Sequence, residues 1–178
     1  MEERLESVQV YGGTLFKVFR DRVRMANGRE TVREIVRHPG SVGIVPRDAR
    51  GNIVLVRQYR YATGRDLWEI PAGTCDHPGE DVEASARREL AEEAGYVAGR
   101  WVRLGRAFLV PGYGDEAMTF FLAEGLTPTE AHAELDESFT INPFSLHDLR
   151  VLRVTGELED AKTLLGLAWA GVDVFADR

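Results

Sequence analysis

The chain has 178 residues, 44% apolar and 29% charged, the size and mix of one globular domain or one domain with a small appendage. Its single cysteine, Cys75, excludes an intrachain disulfide and points to a reducing cytoplasm. The net charge of −7, from 22 basic and 29 acidic residues, argues against a nucleic-acid binder, and an anionic small substrate would need metals or local arginines to neutralise it. No apolar run approaches the roughly 20 residues of a membrane span, and Met1-Glu2-Glu3-Arg4 leads into no signal core, so neither membrane nor secretion is expected.

Taken in chain order, Thr14 to Met25 is rich in β-branched and aromatic residues, and Asn27-Gly28 separates it from a second strand-like run, Thr31 to Val36. That arrangement predicts a hairpin. His38-Pro39-Gly40 breaks the chain. Strands are predicted at Val42–Pro46 and Ile53–Tyr59, split by a turn at Asp48 to Gly51, and at Leu67–Ile70, which ends on Pro71-Ala72-Gly73. The period then changes: Asp81 to Ala94 reads as a helix stopped by Gly95. Strands return at Trp101–Phe108 and Ala117–Ala123, around the loop Pro111-Gly112-Tyr113-Gly114. Thr127 to Ser138 reads as a polar loop, Phe139–Phe144 as a last strand, Ser145–Val154 as a capped helix and Glu159–Ala170 as an amphipathic one. Strands and helices interleave without regular βαβ spacing, so a mixed sheet flanked by helices is expected. Residues 1–39 form a β-rich segment apart from a main domain over 40–178. Leu15 to Arg20 leaves apolar groups on both faces of a ribbon that is expected to have two strands, and such a ribbon needs a cover. A second copy of the chain is the simplest one.

The helix carries the chemistry. With Val82 set at zero on a 100° wheel, Glu89 falls near −20° and Glu93 near +20°, on the stripe of Ala86 and Leu90 that should face the core. A solvated outer face is the ordinary fate of an acidic helix. Here that reading would leave carboxylates on the apolar side, which costs heavily unless something pairs with them. Glu89 and Glu93 also stand one turn apart, with Cβ atoms about 5–6 Å from each other, where like charges repel. A divalent cation removes both objections, and hard oxygen ligands from one helix face suit Mg²⁺ or Mn²⁺. Arg88, four residues before Glu92, is placed to pair with it.

Gly73-Thr-Cys-Asp-His-Pro-Gly-Glu80, followed by Arg88-Glu89-Leu90-Ala91-Glu92-Glu93-Ala94-Gly95-Tyr96, resembles the Nudix box, GX5EX7REUXEEXGU with U apolar. One feature departs from it: six residues rather than five separate Gly73 from Glu80, which alters the loop path and leaves the helix register intact. Arg57-Gln58-Tyr59-Arg60-Tyr61, Glu69-Ile70-Pro71-Ala72-Gly73, Pro111 to Glu116 and Asp160-Ala161-Lys162-Thr163 are similar to the ADP-ribose pyrophosphatase branch of that superfamily.

The resemblance implies an α/β (α+β) fold with a mixed sheet sandwiched between helices and an N-terminal dimerisation segment. It implies metal-dependent hydrolysis of the diphosphate of ADP-ribose or a similar nucleoside diphosphate sugar, giving AMP and a sugar phosphate. The Ala72 carbonyl with Glu89, Glu92 and Glu93 would hold the metal, Glu92 also serving catalysis. Arg60 would contact substrate phosphate, Arg57 would bind substrate beside it, and Glu116 would orient substrate or support the metals. The general base would be a loop acid, Glu137 first and Glu134 second. His38, His77, His132 and His147 are scattered and carry no assignment, and Cys75 is a chance occupant of the box loop. Two other readings stand beside this one: the same chemistry on another nucleoside diphosphate derivative, and a non-catalytic ligand-sensing module. Such modules usually lose box glutamates, and all are present here.

Overall fold

The computed structural model describes residues 1–77, 79–129 and 140–176. They fall into two units, Met1–Gly40 with Ala107–Met118, and Ser41–Arg106 with Thr119–Arg178.

The first unit holds a three-stranded antiparallel sheet, β1 (Glu3–Gly12), β2 (Lys17–Arg24) and β3 (Glu30–Arg37), in that order. The predicted hairpin is β2–β3. The Asn27 carboxamide accepts from Arg29 N–H, and Gly28 takes the positive φ of 80° that closes the turn. The ribbon has three strands where two were expected. The chain before Gly12 alternates weakly, and nine of the ten β1 residues are exposed, so β1 has no buried face to announce it. Paired charges hold its edge instead: Arg22 bridges Glu6 and Glu30, and Arg24 bridges Glu3 and Glu30. The loop before Ala117 is tied to β3 by Val36 N–H to the Tyr113 carbonyl and by an Arg37–Asp115 ion pair of 2.8 Å.

The second unit is built on a seven-stranded mixed sheet. Its path runs β10 (Thr140–Phe144), β5 (Ile53–Arg60), β4 (Ser41–Arg47), β9 (Ala117–Pro128), β8 (Tyr96–Phe108). Two short strands join it, β6 (Arg65–Glu69) on β5 and β7 (Ala72–Thr74) on β4. Three helices follow the pattern read from sequence: α1 (Val82–Ala94), α2 (Leu146–Thr155) and α3 (Ala161–Trp169).

Strand alternation sorts the core. Val42, Ile44 and Phe121 pack with Ala86 and Leu90 of α1, while Val45 and Phe120 meet α3 at Gly166. Ile44 and Val45, like Phe120 and Phe121, are neighbours that point to opposite faces, so α1 and α3 sandwich the sheet. That two-sided burial explains why β4 and β5 read as near-continuous apolar runs. Among the described residues no helix is long and apolar enough to cross a membrane.

Candidate active site

The α1 helix is fixed at both ends. Asp81 accepts from the N–H groups of Glu83 and Ala84, and Gly95 closes the last turn at φ 66°, its N–H donating to the Ala91 carbonyl. This sets the helix phase. Ser85, Ala86, Glu89, Leu90, Glu93 and Ala94 are buried, the arc expected from sequence, while Val82 at the start of that arc is exposed.

Glu89 and Glu93 are therefore carried inward, 8% and 6% exposed. What they meet is backbone. Ala72 N–H donates to Glu93 Oε2 at 2.8 Å, and a Cβ built on Gly73 would lie 2.0–2.4 Å from the Glu89 carboxyl. Strand β7 brings these two residues there, through pairing of Gly73 with Val42 and of Ala72 with Gly43. The sequence predicts only a turn at Pro71-Ala72-Gly73, because a three-residue strand is too short to show a period.

Arg88 organises the outer carboxylates. Its Nη1 lies 2.7 Å from both Glu89 and Glu92, and its Nε lies 3.4 Å from Glu80, near enough for an ion pair but not aligned as a hydrogen bond. Burial alone would lower the Arg88 pKa, but the bond to Glu92 and the charges of Glu89 and Glu80 hold it above the ordinary value, so it stays a cation. Ser85 Oγ donates to Glu80 at 2.7 Å, which fixes the end of the box loop despite its extra residue. Burial pushes the Cys75 thiol up, so it is no poised nucleophile.

A second group of charges gathers around Glu69 at the end of β6. The Arg60 guanidinium donates twice to Glu69, from Nε and Nη2, each at 2.7 Å, and Glu69 also takes the Lys162 ammonium. Lys162 in turn lies 3.1 Å from Asp160, the N-cap of α3, and Thr163 Oγ accepts from Ile70 N–H. Burial acts to raise the Glu69 pKa, yet the bonds from Arg60 and the charge of Lys162 hold its carboxyl below the ordinary range. Sequence reasoning gave Glu69 and Lys162 no role. The available signal was a lone acid between Trp68 and Ile70 in a short apolar strand.

The other predicted site residues are placed as follows. Arg57 pairs with Asp66 at 3.3 Å and lies over the Trp68 ring. Glu116 belongs to the first unit, half-buried, its carbonyl accepting from Leu109 N–H. Glu134 and Glu137 lie outside the described residues. Among the described residues no three His, Cys, Asp or Glu side chains converge as a ready metal cluster. The donor set still fits a hard cation: two nearly buried carboxylates one turn apart, set against strand backbone that a glycine keeps clear of side-chain atoms.

Residues 37–165 match the model of the NUDIX domain, and the chain belongs to that family. An ADP-ribose pyrophosphatase of Mycobacterium tuberculosis (strain ATCC 25618 / H37Rv) is 40% identical over 169 residues, 93% of this chain and 81% of its own length. One of Bacillus subtilis (strain 168) is 35% identical over 170 residues, 94% of this chain and 91% of its own. A solved ADP compounds hydrolase shares the fold at a TM-score of 0.84 and 24% identity, over 96% of this chain and 92% of that one. Within the superfamily the chain falls in the ADP-ribose pyrophosphatase-like branch, a Nudix pyrophosphohydrolase by class.

Proposed function

We propose that the chain hydrolyses the diphosphate linkage of ADP-ribose or a similar nucleoside diphosphate sugar, giving AMP and a sugar phosphate. The observation that carries this is the pair of buried carboxylates, Glu89 and Glu93, seated on the Ala72-Gly73 backbone. With the Ala72 carbonyl and Glu92 they would hold Mg²⁺ or Mn²⁺. Such an ion, when bound, supplies positive charge against the bridging oxygens of the diphosphate and acidifies water.

The chain's own residues do the rest. Arg88 holds Glu89 and Glu92 in fixed rotamers, and Arg60, with Arg57, offers guanidinium donors to substrate phosphate. Glu137, or failing that Glu134, takes the proton of the attacking water; Glu116 orients the substrate. The three-stranded sheet is proposed as a homodimer surface, supported by exposed Val8, Val10, Tyr11, Leu15, Phe16 and Val32. The cytoplasm is the compartment proposed, on the single cysteine.

The test is release of the nucleoside monophosphate, AMP from ADP-ribose, NADH, FAD and ADP-glucose and GMP from GDP-mannose, with Mg²⁺ or Mn²⁺, wild type beside Glu93→Gln. ADP-ribose should lead, and the variant should lose about 100-fold or more in rate. Wild-type protein that binds ADP-ribose yet cleaves nothing would make the chain a ligand-sensing module.

A further inference from the structure

The charge group around Glu69 has a geometry that the proposed chemistry does not by itself require. Glu69 is almost wholly buried, its side chain 1% exposed, in strand β6 opposite Val56 of β5. A carboxylate there must be compensated, and two cations from separate elements do it: Arg60 at the end of β5 and Lys162 in the first turn of α3. The Arg60 contact is bidentate and uses the Nε and Nη2 edge, the fork geometry that fixes a guanidinium plane. Nη1 is left without a hydrogen bond among the described residues, on a side chain that remains 39% exposed. Lys162, by contrast, is 11% exposed and is held between Glu69 and Asp160. It has no reach to spare for a ligand; its contacts all point back into the cluster.

We infer that Glu69 and Lys162 are positioning residues, which lock Arg60 so that its free Nη1 edge is presented, already ordered, to a phosphate oxygen of the substrate. The chain of contact runs Asp160, Lys162, Glu69, Arg60. The last member alone meets the ligand, and the capped start of α3 is its anchor. An arginine free to rotate would have to be ordered on binding, and side-chain ordering is a direct loss of affinity. With Lys162 removed, Glu69 keeps one cation and can swing away from it, so the guanidinium loses its fixed plane. The effect belongs in substrate affinity more than in the chemical step. Arg60 also lies within the electrostatic reach of Glu93, so its position bears on the metal-side carboxylates as well.

This inference rests on Arg60 being a phosphate contact under the function proposed above, and a double-mutant cycle separates the two. The variants are Arg60→Ala, Lys162→Met and both together, with Glu69→Gln as a second way to loosen the clamp. KM and kcat for ADP-ribose and Tm are read for each. Lys162→Met and Glu69→Gln should raise KM about tenfold with kcat within about threefold, as expected for loss of one charge-assisted contact. Arg60→Ala should raise KM by at least as much, and Lys162→Met should add nothing further in the Arg60→Ala background. Lys162→Arg, which keeps the cation, should recover most of the affinity. If Arg60→Ala leaves KM unchanged, the phosphate-contact reading of Arg60 fails and the positioning role falls with it. If Arg60→Ala raises KM but the Lys162→Met effect is absent, or multiplies independently with it, Arg60 stands as a contact and the positioning role is overturned. A Lys162→Met protein whose lower Tm comes with an unchanged KM would likewise make the cluster structural only.

Discussion

Gly73→Ala isolates what the position of one carboxylate is worth. Gly73 sits inside β7, paired with Val42, and is not among the glycines at positive φ, so alanine meets no backbone objection. The objection is space. The added Cβ would stand 2.0 Å from the Glu89 carboxyl carbon and 2.1 and 2.4 Å from its oxygens. An ordinary carbon–carbon contact is about 3.5 Å, so the carboxyl group must retreat by about 1.5 Å. It is the end of a flexible side chain, so the fold can absorb the move. The main loss is the 2.7 Å contact with Arg88, about 1–2 kcal/mol, or a Tm lower by about 2–8 °C. Catalysis has no such tolerance, because a displacement of about 1 Å in a positioned group can cost about 100-fold. The expected variant is therefore folded, slightly less stable, and slower by about two orders of magnitude in AMP release at saturating metal and substrate. A Gly73→Ala enzyme within twofold of the wild-type rate would refute the claim that this close approach sets the Glu89 carboxylate for chemistry.

Two further outcomes follow from the charges. The folded pKa of Glu69 lies below 4.5, so its ionised form stabilises the fold at pH values above 4.5 and the contribution is lost as pH falls through the folded value. The Tm gap between wild type and Glu69→Gln should hold steady above that pH and shrink below it in a Tm series; a gap that widens toward acid would contradict the assignment. Affinity for a non-hydrolysable α,β-methylene analogue of ADP-ribose, measured by calorimetry, should fall at least about tenfold when EDTA replaces Mg²⁺, since uncompensated carboxylates then face the diphosphate. Equal affinity in both buffers would show that the chain's own cations suffice.

How much of this was legible beforehand depends on the range of each interaction. The phase of α1 follows from local spacing, because carboxylates at i and i+4 must share a face whatever the tertiary structure, and Glu89 and Glu93 are buried as that phase requires. The caps at Asp81, Gly95 and Ser145 are local too. Strands β4 and β5 show their burial as apolar runs. Strand β1 was invisible because exposure on nearly every residue leaves no period, and β7 because three residues cannot carry one. The Glu69 cluster joins residues 93 positions apart, through a sheet edge and a helix cap, and nothing in local pattern links a strand acid to a lysine at such separation. Glu134 and Glu137 sit in a run of mixed acids with no period, and the choice between them depends on tertiary placement that spacing does not encode.

The acidity of the chain, at first sight a poor match for an anionic substrate, is concentrated where the proposed chemistry needs it. Glu69, Glu80, Glu89, Glu92, Glu93 and Asp160 are gathered by Arg60, Arg88 and Lys162, six formal negative charges to three positive. The cations are spent in different ways. Lys162 is buried in compensation, and Arg88 orders the helix glutamates with Nη2 left without a hydrogen bond among the described residues. Arg60 alone combines a fixed plane with open donors. A negative remainder of this kind repels a free diphosphate and attracts a divalent cation, and the same carboxylates do both. Substrate affinity and metal affinity are then two readings of one charge balance, so a substitution that removes a helix glutamate should weaken metal binding while easing the repulsion of the substrate.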